Sequence, residues 1–304
     1  MVSLSPSTAP KSLRRPGETQ MSRPDQKHHY LPVFYLRQWS GADGRLCEFS
    51  CPYGAVKPRF THPDGTGYMR GLYRIEGLPP ETMNVIETQF LMPTDGSASD
   101  AMKALAAGKP FPKPVQMRHA WVRFILSLML RYPEAIDGMK RRLRENVGKV
   151  YAETRKETDP ATFEEYEAQM GNDEMARLHG KLLMDLMLDS RMGRLIFGMH
   201  WGVISFSRAE HTLLTSDRPV ISNVFPLSAN HVCLPIGPQR VFFACATEAA
   251  DKEMQRQDPR TIMRVMNDEI AKRAFRYVYG DNARQLRFVE NRLGGAKQKP
   301  VPFL

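Results

Sequence analysis

The sequence predicts an α+β protein, with a helical middle section packed with short antiparallel strands at the N-terminal and C-terminal parts. Residues 115–146 show the apolar spacing of long helices, whereas 45–49 and 231–236 alternate between faces like strands. Short strands that turn back on themselves, with helices grouped between them, are typical of α+β rather than α/β folds.

The N-terminal part begins with an extended arm. Pro32 disfavours the α conformation in the residue before it, so residues 28–31 are predicted to be extended. Neighbouring residues of an extended segment point to opposite faces, which separates His28 and Tyr30 from His29. We therefore expect the two adjacent histidines to face different surroundings.

Short elements follow this arm. Pro32 suits the first position of a short helix, and a strand over 45–49 follows an Asp-Gly turn. Residues 52–67 are rich in Pro and Gly and are predicted to form a loop, after which 68–75 are expected to form a second strand.

The middle section is predicted to contain several helices. Pro93 and Gly96 are expected to end the first of them, and Pro133 is expected to kink or end the longest. Residues 121–130 are apolar nearly all round, which predicts a central, buried helix. The expected helices span 81–92, 100–107, 115–146, 164–170 and 173–192.

Past Gly193 the pattern changes to short strands. The glycines of the first strand suggest that another group packs closely against it, and the next strand is expected to return as its hairpin partner. A second hairpin turns at Gly237-Pro238, and Pro259 opens the last helix. The elements expected here span 197–204, 211–216, 231–236, 240–246, 259–274 and 276–280.

Composition divides the chain into three parts. Residues 1–27 carry Ser, Pro, Lys and Arg with almost no large apolar groups, so we expect a disordered basic tail. Residues 28–290 are predicted to form one α+β domain, because 304 residues with 42% hydrophobic content suffice for one large core. Residues 291–304 are expected to form a loose tail.

The net charge, the hydropathy pattern and the cysteine count limit the functions that the chain can have. A net charge of +10 favours contact with nucleic acid or another phosphorylated ligand, although a solvated basic face has the same composition. No apolar run has the length of a membrane span. Four cysteines do not make a disulfide framework, so we expect reduced thiols and a cytoplasmic protein. Neither a nucleotide-binding glycine loop nor a nucleophile elbow is present.

The densest group of reactive side chains is His28-His29-Tyr30, followed by Arg37. The start of the predicted helix favours an anion nearby and disfavours a protonated imidazole. A neutral histidine can serve as a base or as a metal ligand, and Arg37 could hold a phosphate. The alternative is an anchor, in which the aromatic rings belong to the core and the histidines are satisfied by hydrogen bonds.

Two carboxylates could complete a site with these histidines. Glu87 borders the buried side of its helix, and Asp217 follows a strand, where it either projects into a cleft or forms an Asx-turn. A His/Glu/Asp set suits Mg²⁺ or Mn²⁺, which polarises a phosphoryl oxygen and activates water. Arg131 and Arg218 are the expected substrate-binding residues.

Several segments resemble, in the same order, those of the bacterial domain-of-unknown-function family 4238. HHYLPVFYLR at 28–37 is similar to the start of the family, and TSDRPV at 215–220 is similar to its Thr-Ser-Asp-Asn-Pro element, with Arg218 in place of the usual Asn. The resemblance implies one domain over most of 28–280 and no established activity. Further similar segments are 72–73, 86–87, 118–133 and 266–279.

Three functions follow from these observations. The favoured one is a metal-dependent hydrolase of phosphodiesters, with His28 as base or ligand and Glu87 and Asp217 as ligands. The second is a non-catalytic module that binds nucleic acid or a phosphorylated ligand through its basic surface. The third is a structural domain that acts through a protein partner.

Overall fold

A computed structural model describes most of the chain. The described residues are 26–73, 86–109, 111, 113–170, 174, 177–178, 180–182, 184–185, 191–206 and 212–293. Nearly all of the basic tail predicted for 1–27 therefore lies outside the described residues, as do residues 294–304 and half of the helix predicted for 173–192.

The strands form three antiparallel sheets, and the predicted α+β class is confirmed. The smallest sheet pairs β1 with β4, and the other two have the strand orders β3-β2-β10-β6 and β5-β9-β8-β7. The strands β1 to β10 are, in order, Lys27–His29, Leu46–Ser50, Lys57–Thr61, Tyr68–Arg70, His200–Ser205, Thr215–Ser216, Ile221–Ser222, His231–Gly237, Arg240–Cys245 and Tyr277–Gly280.

Helices occupy the middle of the chain and flank the C-terminal strands. A 3₁₀ turn, Arg37–Trp39, follows the first helix, and a π-helical segment, Ile86–Leu91, leads directly into the second. The helices α1 to α9 are, in order, Val33–Leu36, Met92–Ala106, Pro114–Leu130, Pro133–Thr154, Phe163–Met170, Arg191–Gly198, Glu248–Arg256, Pro259–Arg273 and Leu286–Glu290.

The predicted arm is extended, and Pro32 starts the turn that follows it. Pro32 keeps an extended backbone (φ −61°, ψ 142°), so it precedes α1 instead of being its first residue. Its carbonyl accepts the backbone N–H groups of Tyr35 and Leu36, at 3.0 and 3.1 Å. The arm is held in place because β1 pairs with β4.

The loop predicted for 52–67 is wrong in part, because β3 lies within it. β3 pairs with β2 over its whole length, and most of its residues are exposed at the edge of the sheet. Pro58 is tolerated there because an edge strand has one row of backbone groups without a strand partner. The proline that indicated a loop therefore marks a sheet edge.

The helix break predicted at Pro93 and Gly96 is also wrong. The π-helical segment passes directly into α2, with Pro93 in the first turn of that helix. A proline in a first helical turn loses no hydrogen bond, and the wide π turn before it leaves room for its ring. Gly96 costs only about 1 kcal/mol in a helix. The break predicted at Pro133 is confirmed, since α3 ends at Leu130 and α4 begins at Pro133.

The hairpin predicted for 197–204 and 211–216 does not form. The first of these segments is helical through Gly198, and β5 pairs with β9. β6 pairs with β10 in the other large sheet. The β6 region is held there by the N-terminal segment, because Leu213 O accepts a hydrogen bond from Trp39 Nε1 at 2.7 Å. The β8–β9 hairpin and the terminal strand β10 are confirmed.

The N-terminal segment and the C-terminal strands share one buried region. Tyr35 donates a hydrogen bond to Pro235 O at 2.9 Å, and its hydroxyl lies 2.7 Å from Thr215 Oγ1. Cys47, Cys51, Cys233 and Cys245 are free thiols, as the cysteine count predicted. Among the described residues, no helix combines the length and apolar character needed to cross a bilayer.

Candidate functional site

His28 is completely buried at the start of the candidate site. Strand β1 places it opposite Met69 of β4, and its ring stacks on the ring of Tyr73 at a centroid distance of 5.4 Å. Its Nδ1 accepts the backbone N–H of Tyr73 at 2.9 Å. A nitrogen that accepts a hydrogen bond carries no proton, so His28 is the neutral tautomer with its proton on Nε2.

Arg131 lies beyond this stack, at the C-terminal end of α3. Its carbonyl accepts a hydrogen bond from the Tyr73 hydroxyl at 2.7 Å, which joins it to the His28 stack. The Arg131 side chain is fully buried, and its Nη1 contacts the two carboxylate oxygens of Asp95 at 2.9 and 3.2 Å. Its Nε and Nη2 have no hydrogen-bond partner within the described part of the chain.

Glu87 is the second carboxylate near this arginine, and it lies in the π-helical segment. Burial raises the pKa of Glu87 to about 7; Arg131 lowers that pKa and Asp95 raises it. Burial also raises the pKa of Asp95, against the opposing charge of Arg131. Glu87 can therefore hold or release a proton near neutral pH. We call His28, Tyr73, Glu87, Asp95 and Arg131 the Arg131 cluster.

Asp217 directly follows β6 and contacts the segment that leads into β10. Its carboxylate accepts the backbone N–H groups of Phe275, Arg276 and Tyr277, at 2.9, 2.6 and 3.2 Å. Burial raises the pKa of Asp217 to about 6, although these three hydrogen bonds oppose the shift. Both oxygens therefore join two distant segments of backbone, which favours a structural role for this residue.

Arg218 directly follows Asp217, and Arg276 directly precedes β10. The Arg218 guanidinium stacks over the rings of Tyr132 and Phe275, at 4.7 and 5.2 Å, and Arg276 lies 5.4 Å from the same Phe275 ring. Glu134, in the first turn of α4, lies between them, with oxygens 3.9 Å from Arg218 Nη2 and 3.2 Å from Arg276 Nη2. We call these five residues the Arg218 face.

Tyr30 connects the two groups. Burial raises the pKa of its hydroxyl, and the charges of Asp217, Arg276 and Glu134 act on it. Tyr30 in turn contributes to the raised pKa of Tyr73, which belongs to the Arg131 cluster. The Arg131 cluster and the Arg218 face are therefore electrostatic neighbours through this tyrosine.

The structure thus divides the predicted site residues into two groups. His28, Glu87 and Arg131 belong to the Arg131 cluster, with Tyr73 as their shared neighbour. Asp217 contacts the turn before β10, and Arg218 belongs to the Arg218 face. Residues from distant parts of the sequence therefore come together as two neighbouring groups, linked through Tyr30, and not as one site.

His29 and Arg37 have no described direct contact with either group. His29 points to the opposite face of β1, as the extended arm predicts, and its ring lies 5.5 Å from that of Tyr68. Burial lowers the pKa of His29, and the positive charge of Arg131 contributes to that shift. Arg37 is exposed in the 3₁₀ turn, and no contact joins it to another predicted site residue in the described part of the chain.

The Mg²⁺ or Mn²⁺ site stays a prediction. No group of three His, Cys, Asp or Glu side chains within the described residues is arranged to hold a metal ion. Residues 74–85, which directly precede the segment of Glu87, lie outside the described residues. The described charged neighbours of Glu87 are therefore Arg131 and Asp95.

Sequence reasoning missed Asp95, Glu134 and Arg276. Asp95 and Glu134 each lie in a first helical turn just after a proline, a position where an acid stabilises the helix. That stabilising role is so common that it does not indicate a site. Arg276 precedes β10 by one residue, and only the fold brings it to Arg218.

The fold and the site define an α+β protein in which a buried arginine–carboxylate cluster and a partly exposed arginine face are built from separate segments of the chain. The chain belongs to the family described as Protein of unknown function (DUF4238), whose model matches residues 27–284. No curated protein and no solved structure gives a significant match to the chain.

Proposed function

We propose that this protein is a hydrolase of phosphodiesters, with nucleic acid as the substrate class, and that the Arg131 cluster is its reaction site. Arg131 would bind the phosphoryl group that is cut. Glu87 would transfer the proton, and Mg²⁺ or Mn²⁺ would assist as an activator. The observation that carries the proposal is the buried Arg131 beside Glu87.

The guanidinium of Arg131 supports the binding role. A buried charge normally has all of its hydrogen-bond donors satisfied, because each unsatisfied donor costs about 1–3 kcal/mol. Asp95 occupies Nη1, whereas Nε and Nη2 have no partner among the described residues. The edge formed by these two nitrogens suits the bidentate recognition of a phosphate.

The protonation behaviour of Glu87 supports the catalytic role. An acid–base group works best when its pKa lies near the working pH, and the pKa of Glu87 is about 7. The segment that carries it is π-helical, a conformation found frequently at functional sites. The Asp95 side chain is 23% exposed, so the cluster reaches the protein surface through this carboxylate.

A comparison of the hydrolysis rates of wild type and the Glu87→Gln variant tests the proposal. We expect wild type to cleave bis(p-nitrophenyl) phosphate and a labelled single-stranded oligonucleotide in the presence of Mg²⁺ or Mn²⁺. The variant should lose about 100-fold or more in rate, the usual contribution of a proton-transfer group. Glu153→Gln, on the exposed side of α4, is the matched control and should retain the wild-type rate.

Two further measurements separate the parts of the proposal. The rate should change with pH around pH 7 in wild type and lose that dependence in Glu87→Gln. Cleavage that persists in a chelator would remove the metal ion from the proposal and leave the acid–base role in place. Wild type that binds the oligonucleotide without cleaving it under any condition would instead support the non-catalytic alternative.

A further inference from the structure

We propose that Arg218 and Arg276 form a second phosphate subsite, which binds a backbone phosphate of the nucleic acid beside the one that is cut. We further propose that Glu134 occupies this subsite when no nucleic acid is bound. The position relative to the cut phosphate rests on the function proposed above. The binding of backbone phosphate by these two arginines does not depend on that function.

Aromatic rings lie beside both guanidiniums. The centroid of the Phe275 ring is 5.2 Å from the Arg218 Cζ and 5.4 Å from the Arg276 Cζ, and the Tyr132 ring centroid is 4.7 Å from the Arg218 Cζ. A cation–π contact leaves the N–H groups of a guanidinium available for hydrogen bonds to a ligand. These contacts restrict both side chains before a ligand arrives, which reduces the entropy cost of binding.

These donors are not satisfied by Glu134. Its oxygens lie 3.9 Å from Arg218 Nη2 and 3.2 Å from Arg276 Nη2, and neither contact is a hydrogen bond among the described residues. The Nε of Arg218 is buried and also has no hydrogen-bond partner there. One carboxylate thus faces two cations without good geometry to either of them.

A phosphate fits this arrangement better than the carboxylate does. The tetrahedral oxygens of a backbone phosphate can accept hydrogen bonds from two guanidiniums at once. The N-terminus of α4, which carries Glu134, adds partial positive charge at the same place. Asp217, the other nearby carboxylate, directs its oxygens to backbone N–H groups of the β10 turn and does not cover the arginines.

Glu134 is weakly held. Its side chain is 25% exposed, its Oε1 is buried without a hydrogen-bond partner among the described residues, and its ion pairs to the two arginines are not hydrogen bonds. A bound polyanion would therefore compete with Glu134 for the same cations. Removing the charge of Glu134 should strengthen binding, whereas removing the charge of Arg218 or Arg276 should weaken it.

The place of the subsite suits a ligand that continues from the Arg131 cluster. Tyr132 directly follows Arg131 in the chain, so the two sites share the junction between α3 and α4. Tyr30 is an electrostatic neighbour of Arg276 and also of Tyr73 in the Arg131 cluster. A polymer with regularly spaced phosphates is the class of ligand that can use both sites.

The test measures binding of a fluorescein-labelled single-stranded DNA oligonucleotide by anisotropy, in a chelator so that no cleavage occurs, at several salt concentrations. We expect Arg218→Gln and Arg276→Gln each to weaken binding about 5- to 20-fold and to reduce the salt slope by about one. Glu134→Gln should bind several-fold more tightly than wild type. Arg218→Lys, which keeps the charge but not the planar fork, should fall between wild type and Arg218→Gln.

Arg264→Gln is the matched control, because Arg264 is an exposed arginine on α8 with no described contact to the residues of this face. It reports how much any lost positive charge weakens binding. Circular dichroism confirms that each variant is folded. The proposal is overturned if Arg218→Gln and Arg276→Gln behave like Arg264→Gln, or if Glu134→Gln binds no more tightly than wild type.

Inorganic phosphate distinguishes a backbone phosphate from a free one. At equal ionic strength it should displace the oligonucleotide better than chloride does, because its oxygens can accept hydrogen bonds from the same two guanidiniums, and this difference should vanish in Arg218→Gln. Displacement by inorganic phosphate at concentrations comparable with that of the oligonucleotide would overturn the assignment to backbone phosphate. The two proposals fail separately. Binding with the expected variant pattern but no cleavage would remove only the hydrolase function. Cleavage that depends on Glu87, with Arg218 and Glu134 variants like the control, would remove only this subsite.

Discussion

Glu87 is the residue whose chemistry depends most on its surroundings. Burial favours its neutral form, and the nearby Asp95 acts in the same direction, so together they outweigh the attraction of Arg131. The result is a carboxyl group that changes its charge near neutral pH. Asp217 responds to burial in the same way, but its backbone hydrogen bonds limit the rise of its pKa to about 6.

The raised pKa of Glu87 predicts a pH-dependent stability. Its folded-state pKa of about 7 lies above the ordinary value of 4.5, so the stabilisation is fully present below pH 4.5 and is lost as the pH rises through 7. The free energy of unfolding of Glu87→Gln should not show this decrease, which amounts to at most about 3 kcal/mol in wild type.

Urea unfolding of both proteins from pH 4 to pH 8 measures the effect. The free energy of unfolding of wild type, relative to the variant, should decrease across this range. Taking the difference cancels the titration of Asp217, which both proteins share. Asp95 interacts with Glu87, so a change in its titration is part of the measured difference. A difference that is constant with pH would show that Glu87 titrates normally.

Strand β5 shows at the element scale how one small residue allows close packing. Its register places Gly202 opposite Phe243 of β9. A Cβ atom at position 202 would lie 2.7 Å from Cε1 of Phe243 and closer still to its Cζ. The sequence-based expectation that something packs closely against this strand is met at Gly202 and not at Gly198.

The pair Gly202→Ala and Gly198→Ala tests this packing. Phe243 is buried and cannot move aside freely, so Gly202→Ala should reduce the free energy of unfolding by about 1–3 kcal/mol. An added methyl group at Gly198 would have no described atom within 4 Å, so this variant should stay close to wild type. Thermal unfolding compares the two, and equal melting temperatures would contradict the packing argument.

At the scale of the whole molecule, the N-terminal segment holds the C-terminal strands together. Tyr35 and Trp39 each donate a side-chain hydrogen bond to a backbone carbonyl from the far end of the sequence, at Pro235 and Leu213. These contacts join the first helix to both large sheets. They are the physical basis for expecting residues 28–290 to unfold as a single domain.

Tyr35→Phe should therefore weaken the entire domain. The change leaves the buried Pro235 carbonyl and the Thr215 hydroxyl without their partner, which should cost about 1–3 kcal/mol. Tyr53→Phe is the control, because Tyr53 is 89% exposed. Far-ultraviolet and near-ultraviolet circular dichroism should follow one coincident transition in both variants. Separate transitions would contradict the single domain.

The sequence predicted individual helices and strands better than it predicted which of them pair or pack together. The helices about Pro133, the β8–β9 hairpin and β10 follow from local signals such as apolar spacing, proline and turn residues. The predictions based on proline were wrong at β3 and at α2, because proline is also tolerated at a sheet edge and in a first helical turn. Position within the fold, and not residue type, decides between these outcomes.

The α+β class, the extended arm and the candidate residues His28, Glu87, Arg131 and Asp217 could be identified from the amino-acid sequence without a structure. Three pairings could not: β6 with β10, Asp95 with Arg131, and Arg276 with Arg218. Local patterns encode backbone conformation because they depend on neighbours along the chain. Partners far apart in sequence are chosen by packing and hydrogen bonding in the folded core, which no local pattern contains.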